Sequence, residues 1–305
     1  MKPEPRNQTT TTADVYSRIT ERIIADLAQG VRPWLKPWSA QESGHLITRP
    51  LRYNGAPYKG VNVLLLWGAA TDKGFSSPFW MTYKQAQELG GQVRKGETGS
   101  LVVYANRFTK TETNEEGEDI EREISFLKGY TVFNTEQIDG LPERFQIAPL
   151  PSPAPELLHQ AAESFFASTG ASFRHGGNRA FYTTAGDFIQ MPPPQAFKDP
   201  ESYAAIKAHE LIHWTGHSSR MAREFGKRFG DNAYAFEELV AELGAAFLCA
   251  DLQLTPEPRP DHAAYLASWL KVLRQDKRAI FAAAAHAQRA ADYLHGLQAS
   301  EKVAA

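Results

Sequence analysis

The residues best placed to do chemistry are His209-Glu210-Leu211-Ile212-His213. On a helix His209 and His213 leave the same face one turn apart and can hold one metal ion, with Glu210 beside them. That is zinc-hydrolase geometry, in which Glu210 is the general base toward a water whose pKa the metal lowers to about 7. A catalytic Zn²⁺ needs a third protein ligand, because such sites use three and keep the fourth position open. In the variant with three histidines the last one stands where this chain has Ser219, and His217 is at the wrong spacing, although Gly216 fits the pattern. The other arrangement takes a carboxylate from a second helix.

Residues 233–250 read as that helix. Apart from Glu237, Glu238 and Glu242 the stretch is apolar nearly all round, which marks a buried helix whose carboxylates need a cation or several donors. Glu238, Ala241, Glu242, Ala245 and Cys249 share one face, where small side chains admit a neighbouring helix. The expected site is His209, His213 and Glu238, with Glu242 behind it holding a histidine N–H and Glu237 as the alternative ligand. Cys249 lies too far along the helix to join them and reads as a core residue. Tyr234, one turn before Glu238, is the candidate for stabilising an oxyanion. The expected cofactor is Zn²⁺, with Mn²⁺ or another divalent ion as the alternative. The expected reaction is hydrolysis, most often of a peptide bond.

The elements that position these residues belong to a chain of 305 residues, enough for two ordinary domains. Its 42% hydrophobic and 22% charged content is that of a soluble globular protein. No apolar run approaches the ~18 residues of a membrane span, and the first residues hold no apolar signal core, so a cytoplasmic protein with no membrane partner is expected. One cysteine excludes an internal disulfide framework. A net charge of −2 gives no general attraction to nucleic acid, so any such binding must come from a local patch.

The expected fold class is α+β in two domains. A disordered tail over 1–13 leads into a mixed α/β domain at 14–146. A stiff proline-rich linker at 147–156 permits separate motion of a mainly helical domain with a small sheet at 157–298, and 299–305 is a tail. In the first domain, helices are expected over 14–27, 61–67 and 82–89. Strands over 101–107 and 126–133 flank an acidic stretch at 109–123 that reads as a solvated hairpin loop. In the second, a helix over 155–168 precedes strands at 171–175 and 180–183 turned by Gly176-Gly177-Asn178. An edge strand at 187–191, beside the metal helix 202–215, could pair with an extended peptide. Residues 218–232 form a basic connector, and 261–297 are mostly helical.

Outside the acidic stretch, aromatic rings alternate with cations. Trp34, Lys36, Trp38, Arg52, Tyr53, Tyr58, Lys59, Trp80, Arg94 and Lys95 offer flat faces on which bases stack and charges for phosphates, as single-stranded nucleic acid requires. The same rings serve equally well as core.

Several of these motifs together resemble a known family. The Pro33-Trp34 to Pro37-Trp38 pair, Tyr58-Lys-Gly-Val-Asn-Val-Leu-Leu-Leu-Trp67, Trp80-Met-Thr-Tyr-Lys-Gln-Ala-Gln-Glu-Leu89 and Gly129-Tyr-Thr-Val-Phe-Asn-Thr-Glu-Gln-Ile-Asp-Gly-Leu-Pro142 resemble the N-terminal domain of ArdC-type antirestriction proteins. Phe181-Tyr182, Asp187-Phe-Ile-Gln-Met-Pro192, the His209 to His213 motif and Glu237-Glu-Leu-Val-Ala-Glu242 resemble the zincin-like metallopeptidase domain of the same family. The resemblance runs from about 14 to 295. It implies a plasmid-encoded protein that binds single-stranded DNA and protects incoming conjugative DNA from restriction; double-stranded DNA is the alternative partner. The first domain also resembles that of TraC-type plasmid primases. The metal positions carry over to His209, His213 and a glutamate of the 237–242 cluster, without choosing among them. Two functions compete: a gluzincin-like peptidase brought to an unidentified protein substrate at DNA, and a DNA-shielding protein whose metal domain is structural or inactive.

Overall fold

The computed structural model describes residues 12–35, 48–113, 119–145, 154–226, 231–254 and 262–301. Val15, Ile19, Ile23 and Leu27 recur at helical spacing and form the buried face of α1 (Thr12–Ala28). A four-stranded sheet follows, built from β1 (Leu51–Arg52), β2 (Phe79–Met81), β4 (Ser100–Thr113) and β5 (Asp119–Asn134) in the order β1-β2-β5-β4. Beside it β3 (Gln92–Val93) and β6 (Ile138–Asp139) make an antiparallel ribbon. The apolar helix α2 (Val61–Lys73) lies on β4, where the Asn62 amide accepts from the Val103 N–H and donates to the Val103 carbonyl, both at 2.8 Å. Helix α3 (Tyr83–Glu88) starts at a capping box in which Thr82 and Gln85 each accept the other's backbone N–H.

The acidic stretch is strand rather than loop over most of its length. β4 and β5 pair continuously from Ser100↔Val132 to Thr113↔Asp119, and residues 114–118 lie outside the described set. Thr109, Thr111 and Thr113 stand at every second position of one strand and Ile120 and Ile124 flank Arg122 on the other, and such β-branched residues suit a pleated ribbon whatever its charge.

In the second half α4 (Pro155–Ala167) precedes three strands, β7 (Ser172–His175), β8 (Phe181–Thr183) and β9 (Phe188–Met191). The expected β7–β8 hairpin does not form, and 188–191 is not an edge. β9 lies in the middle, parallel to β7 and antiparallel to β8, with Ile189 and Met191 fully buried. Gly176 does not turn a hairpin but donates its N–H to the Met191 carbonyl at 3.0 Å. A parallel neighbour is fixed by distant packing, which no local turn signal reports. Among the described residues four helices follow: α5 (Pro200–Thr215), α6 (Asn232–Leu252), α7 (His262–Gln275) and α8 (Ala279–Glu301). Among the described residues no helix is long and apolar enough to cross a membrane.

The two halves share one core. A continuous buried cluster runs from Val15 through Trp34, Leu64 and Val102 to Phe247, Trp269 and Leu294, while a smaller one around Met81, Ile138 and Phe145 lies beneath the β3–β6 ribbon. Helix α1 packs on β5 and on α7, and α2 packs on β4 and on α8. Arg49, buried, donates to Asp251 and Gln288 at 2.9 Å each and lies 4.3 Å over the Phe247 ring. Separate motion of two domains, expected from the proline-rich stretch, is therefore opposed by buried apolar surface and by the part-buried Arg49–Asp251 ion pair. Residues 146–153, the bulk of that stretch, lie outside the described set.

Candidate metal centre

Two helices packed against each other, α5 and α6, carry the candidate residues. Asp199 caps α5, accepting the Ser202 N–H at 2.7 Å, and Pro200 occupies its first turn. Lys207 braces it to α4 through Glu163 at 2.7 Å. Asp231 caps α6 by accepting from the N–H groups of Ala233 and Tyr234. The helices approach closely at Gly244, where an added Cβ would lie 2.8 Å from the Ile212 side chain.

Their packing brings His209, His213 and Glu238 together, with one donor atom from each lying within 4.8 Å of the others and all three residues buried. His209 Nε2 is 3.5 Å from Glu238 Oε2, and His213 Nε2 is 3.6 Å from Glu238 Oε1. Ligands about 2.1 Å from a tetrahedral ion stand roughly 3.4 Å apart, so two imidazoles and a carboxylate in this arrangement fit a divalent cation. The electrostatics agree. Burial opposes charge on His213, but Glu238 and then Glu237 outweigh it and raise its pKa to about 10. Burial likewise opposes ionisation of Glu238, and the two histidines overcome it and hold the carboxyl far below its usual range. The pocket is built for positive charge.

Glu237 and Glu242 stand one step back. Glu237 accepts from His213 Nδ1 at 3.1 Å, on the side of the ring away from Glu238. Arg223 grips both Glu237 oxygens, at 2.9 and 3.0 Å, and these donors keep the buried carboxyl ionised below its ordinary pKa although burial pushes the other way. Glu242 Oε2 lies 3.8 Å from His209 Nδ1, close enough for charge to act but beyond the hydrogen bond expected of it. Arg223 is a residue that sequence reasoning assigned only to a basic connector. The signal for it was Glu237 itself, a buried carboxylate that required a cation. Gly216 ends α5 in ordinary right-handed geometry, and a Cβ there would meet Phe225 and Arg223 at 2.7 and 2.9 Å. His217 bonds Ser219 at 2.7 Å and stands apart from the cluster, which removes the three-histidine arrangement. Cys249 is buried, as expected of a core residue.

A cleft of about 810 Å³ opens onto His213 and Glu238 and is lined as well by Glu210, Tyr234, Tyr265 and Phe181. The Tyr234 and Tyr265 hydroxyls are 3.1 Å apart. Burial first, then Tyr265 and the charge of Glu238, push the Tyr234 phenol well above its usual pKa, so it remains a hydrogen donor. The sheet edge along the cleft is β8, not the 187–191 strand.

The aromatic and basic residues expected to hold DNA divide sharply. Trp34, Tyr58 and Trp80 are core, at 0%, 3% and 1% exposure, and in this structure no base can stack on them. Arg52, Lys59, Arg94 and Lys95 are exposed and Tyr53 is half-buried, while Lys36 and Trp38 lie outside the described residues. Lys59 pairs with Asp292, and Arg94 with Glu97 and Asp139. Tyr83, which the sequence did not single out, is 43% exposed and lines a concavity with Gln92, Arg94, Lys95 and Phe133. Its signal was its place at the first position of a capped helix whose buried residue is Ala86.

Residues 13–133 match the family model described as the N-terminal domain of anti-restriction factor ArdC, and residues 160–286 the one described as a zincin-like metallopeptidase. The chain is 42% identical over 294 residues to an uncharacterized protein of Sinorhizobium fredii, covering 94% of each. It is 38% identical to the DNA primase TraC of Escherichia coli, of which it spans 27%. The crystal structure of the metal-free antirestriction ArdC protein from the R388 plasmid superposes with a TM-score of 0.79 at 47% identity, covering 94% of this chain and 98% of that one. The Mn(II)-bound form of that protein matches at 0.75 and 46%, covering 93% of this chain and 98% of that one. With its two halves matched in order and 94% of its length shared with such a relative, the chain belongs to the ArdC antirestriction family.

Proposed function

We propose that this chain is a divalent-metal peptidase that acts at DNA, and that it protects incoming plasmid DNA by hydrolysing a protein met there. The observation that carries hydrolysis is the second carboxylate, Glu210, buried in the same cleft as His213 and Glu238. A closed structural site has no use for an acid–base group or a substrate-sized opening. In this reading His209, His213 and Glu238 hold the ion, Zn²⁺ or Mn²⁺, while Glu237 and Glu242 orient the imidazoles from behind. When bound, the ion supplies Lewis acidity.

The chain's own groups do the rest. Glu210 takes the proton from the attacking water and returns it to the leaving amine. Tyr234 donates its hydroxyl hydrogen to the oxyanion, and Tyr265 aims that hydroxyl. The outer strand β8 offers its backbone to an extended peptide laid along the cleft. For nucleic acid, the support is the kinship with an antirestriction protein and a DNA primase, together with the exposed Arg52, Lys59, Arg94 and Lys95 and the half-buried Tyr53 of the N-terminal half. Single-stranded DNA is the expected form.

The test is plasmid protection in cells expressing wild type or Glu210→Gln, with metal content measured on the purified proteins. The reading expects Glu210→Gln to keep its metal and lose protection. Full protection by that variant would leave DNA shielding as the function and the metal as a structural element.

A further inference from the structure

Trp34 was expected to meet DNA, yet it is fully buried and its indole N–H donates to Glu242 Oε1 at 3.2 Å. The Arg32 guanidinium lies 3.6 Å from the same oxygen. The other oxygen of that carboxylate, Oε2, is the one that faces His209 Nδ1. Trp34 is held in turn by an edge-on contact with Trp269, 5.8 Å between ring centres, and the turn is closed by the Leu35 N–H donating to the Arg32 carbonyl at 2.9 Å. Arg32 and Trp34 belong to the segment matched by the N-terminal family model, Glu242 and His209 to the metallopeptidase one.

We infer that the Arg32–Leu35 turn of the N-terminal half is a positioning element of the metal centre, fixing Glu242 so that Glu242 fixes the His209 imidazole. This rests on the reading that His209, His213 and Glu238 bind the ion. A buried carboxylate with two oxygens can face a ligand histidine with one only if donors anchor the other. Trp34 and Arg32 anchor it, one by a directed hydrogen bond and one by charge. Carboxylates behind ligand histidines tune affinity by roughly 10- to 100-fold when altered. The two halves therefore assemble one site between them, with Trp34 and Arg32 as positioning residues and no contact of their own with substrate.

The test is Mn²⁺ affinity of the full chain by calorimetric titration, with metal-free thermal stability recorded for each variant. Trp34→Phe should weaken Mn²⁺ binding about tenfold, and Arg32→Gln, which leaves the aromatic packing intact, should weaken it in the same direction. Trp67→Phe is the control, since that indole donates to the Thr48 carbonyl at 3.0 Å and should leave affinity within about twofold of wild type. In a Glu242→Gln background Trp34→Phe should add little, because it acts through Glu242. Wild-type affinity in both Trp34→Phe and Arg32→Gln, or equal losses in Trp67→Phe, would overturn the inference while leaving the metal site standing. Failure of the wild-type chain to take up Mn²⁺ or Zn²⁺ would overturn the metal reading and this inference with it.

Discussion

The metal centre and the aromatic surface of the N-terminal half are built from side chains of equal chemical promise, yet one was legible in the sequence and the other was not. At the metal centre the helix period fixes which side chains share a face, and a buried carboxylate has few uses, so His209, His213 and Glu238 could be placed together before any fold was known. In the N-terminal half a tryptophan among cations is equally at home against a base or inside a core. Trp34, Tyr58 and Trp80 went inside.

That contrast can be broken by experiment. Trp80→Ala should cost about 3–5 kcal/mol of stability, the range for emptying a fully buried aromatic, with no loss of DNA affinity in the folded fraction. Denaturant unfolding and binding measured side by side would check it, and a selective loss of DNA binding would return Trp80 to the interface. Arg223→Gln should also be severe, about 3 kcal/mol in the metal-free protein, because it removes the guanidinium from both oxygens of the buried Glu237 carboxylate and leaves His213 Nδ1 to hold it. Smaller effects belong to the surface. Tyr83→Ala should weaken binding of single-stranded DNA by about 1–3 kcal/mol if a base stacks there, and fluorescence anisotropy would read it. Last, Lys95→Ala should lower the slope of log affinity against log salt by about 0.7, the share of one phosphate contact on a single strand. Unchanged slopes would move the DNA path elsewhere.

The misread strands show the same limit from another side. Alternating residues at 187–191 correctly signalled a strand, but its central place depends on β7 arriving in parallel, a pairing between residues far apart in sequence. The acidic residues of 109–123 signalled solvent and said nothing of backbone, while the β-branched Thr109, Thr111, Thr113, Ile120 and Ile124 among them carried the strands. Arg223 could have been sought once Glu237 was known to be buried, although its approach from a connector followed from no spacing. The junction of the halves was hidden most completely, since Trp34 and Glu242 are joined by nothing but the folded core.

The central claim is that α5 and α6 together hold one divalent ion through His209, His213 and Glu238. Titration of Mn²⁺ and Zn²⁺ into metal-free wild type and Glu238→Ala tests it most directly. The account predicts one ion per wild-type chain and proton release at pH 7, because His213 holds its proton up to about 10 until a metal replaces it, so affinity rises with pH. It predicts for Glu238→Ala a loss larger than the roughly 100-fold expected of residues behind the ligands. Wild-type affinity in Glu238→Ala would contradict it, and would send the third ligand elsewhere.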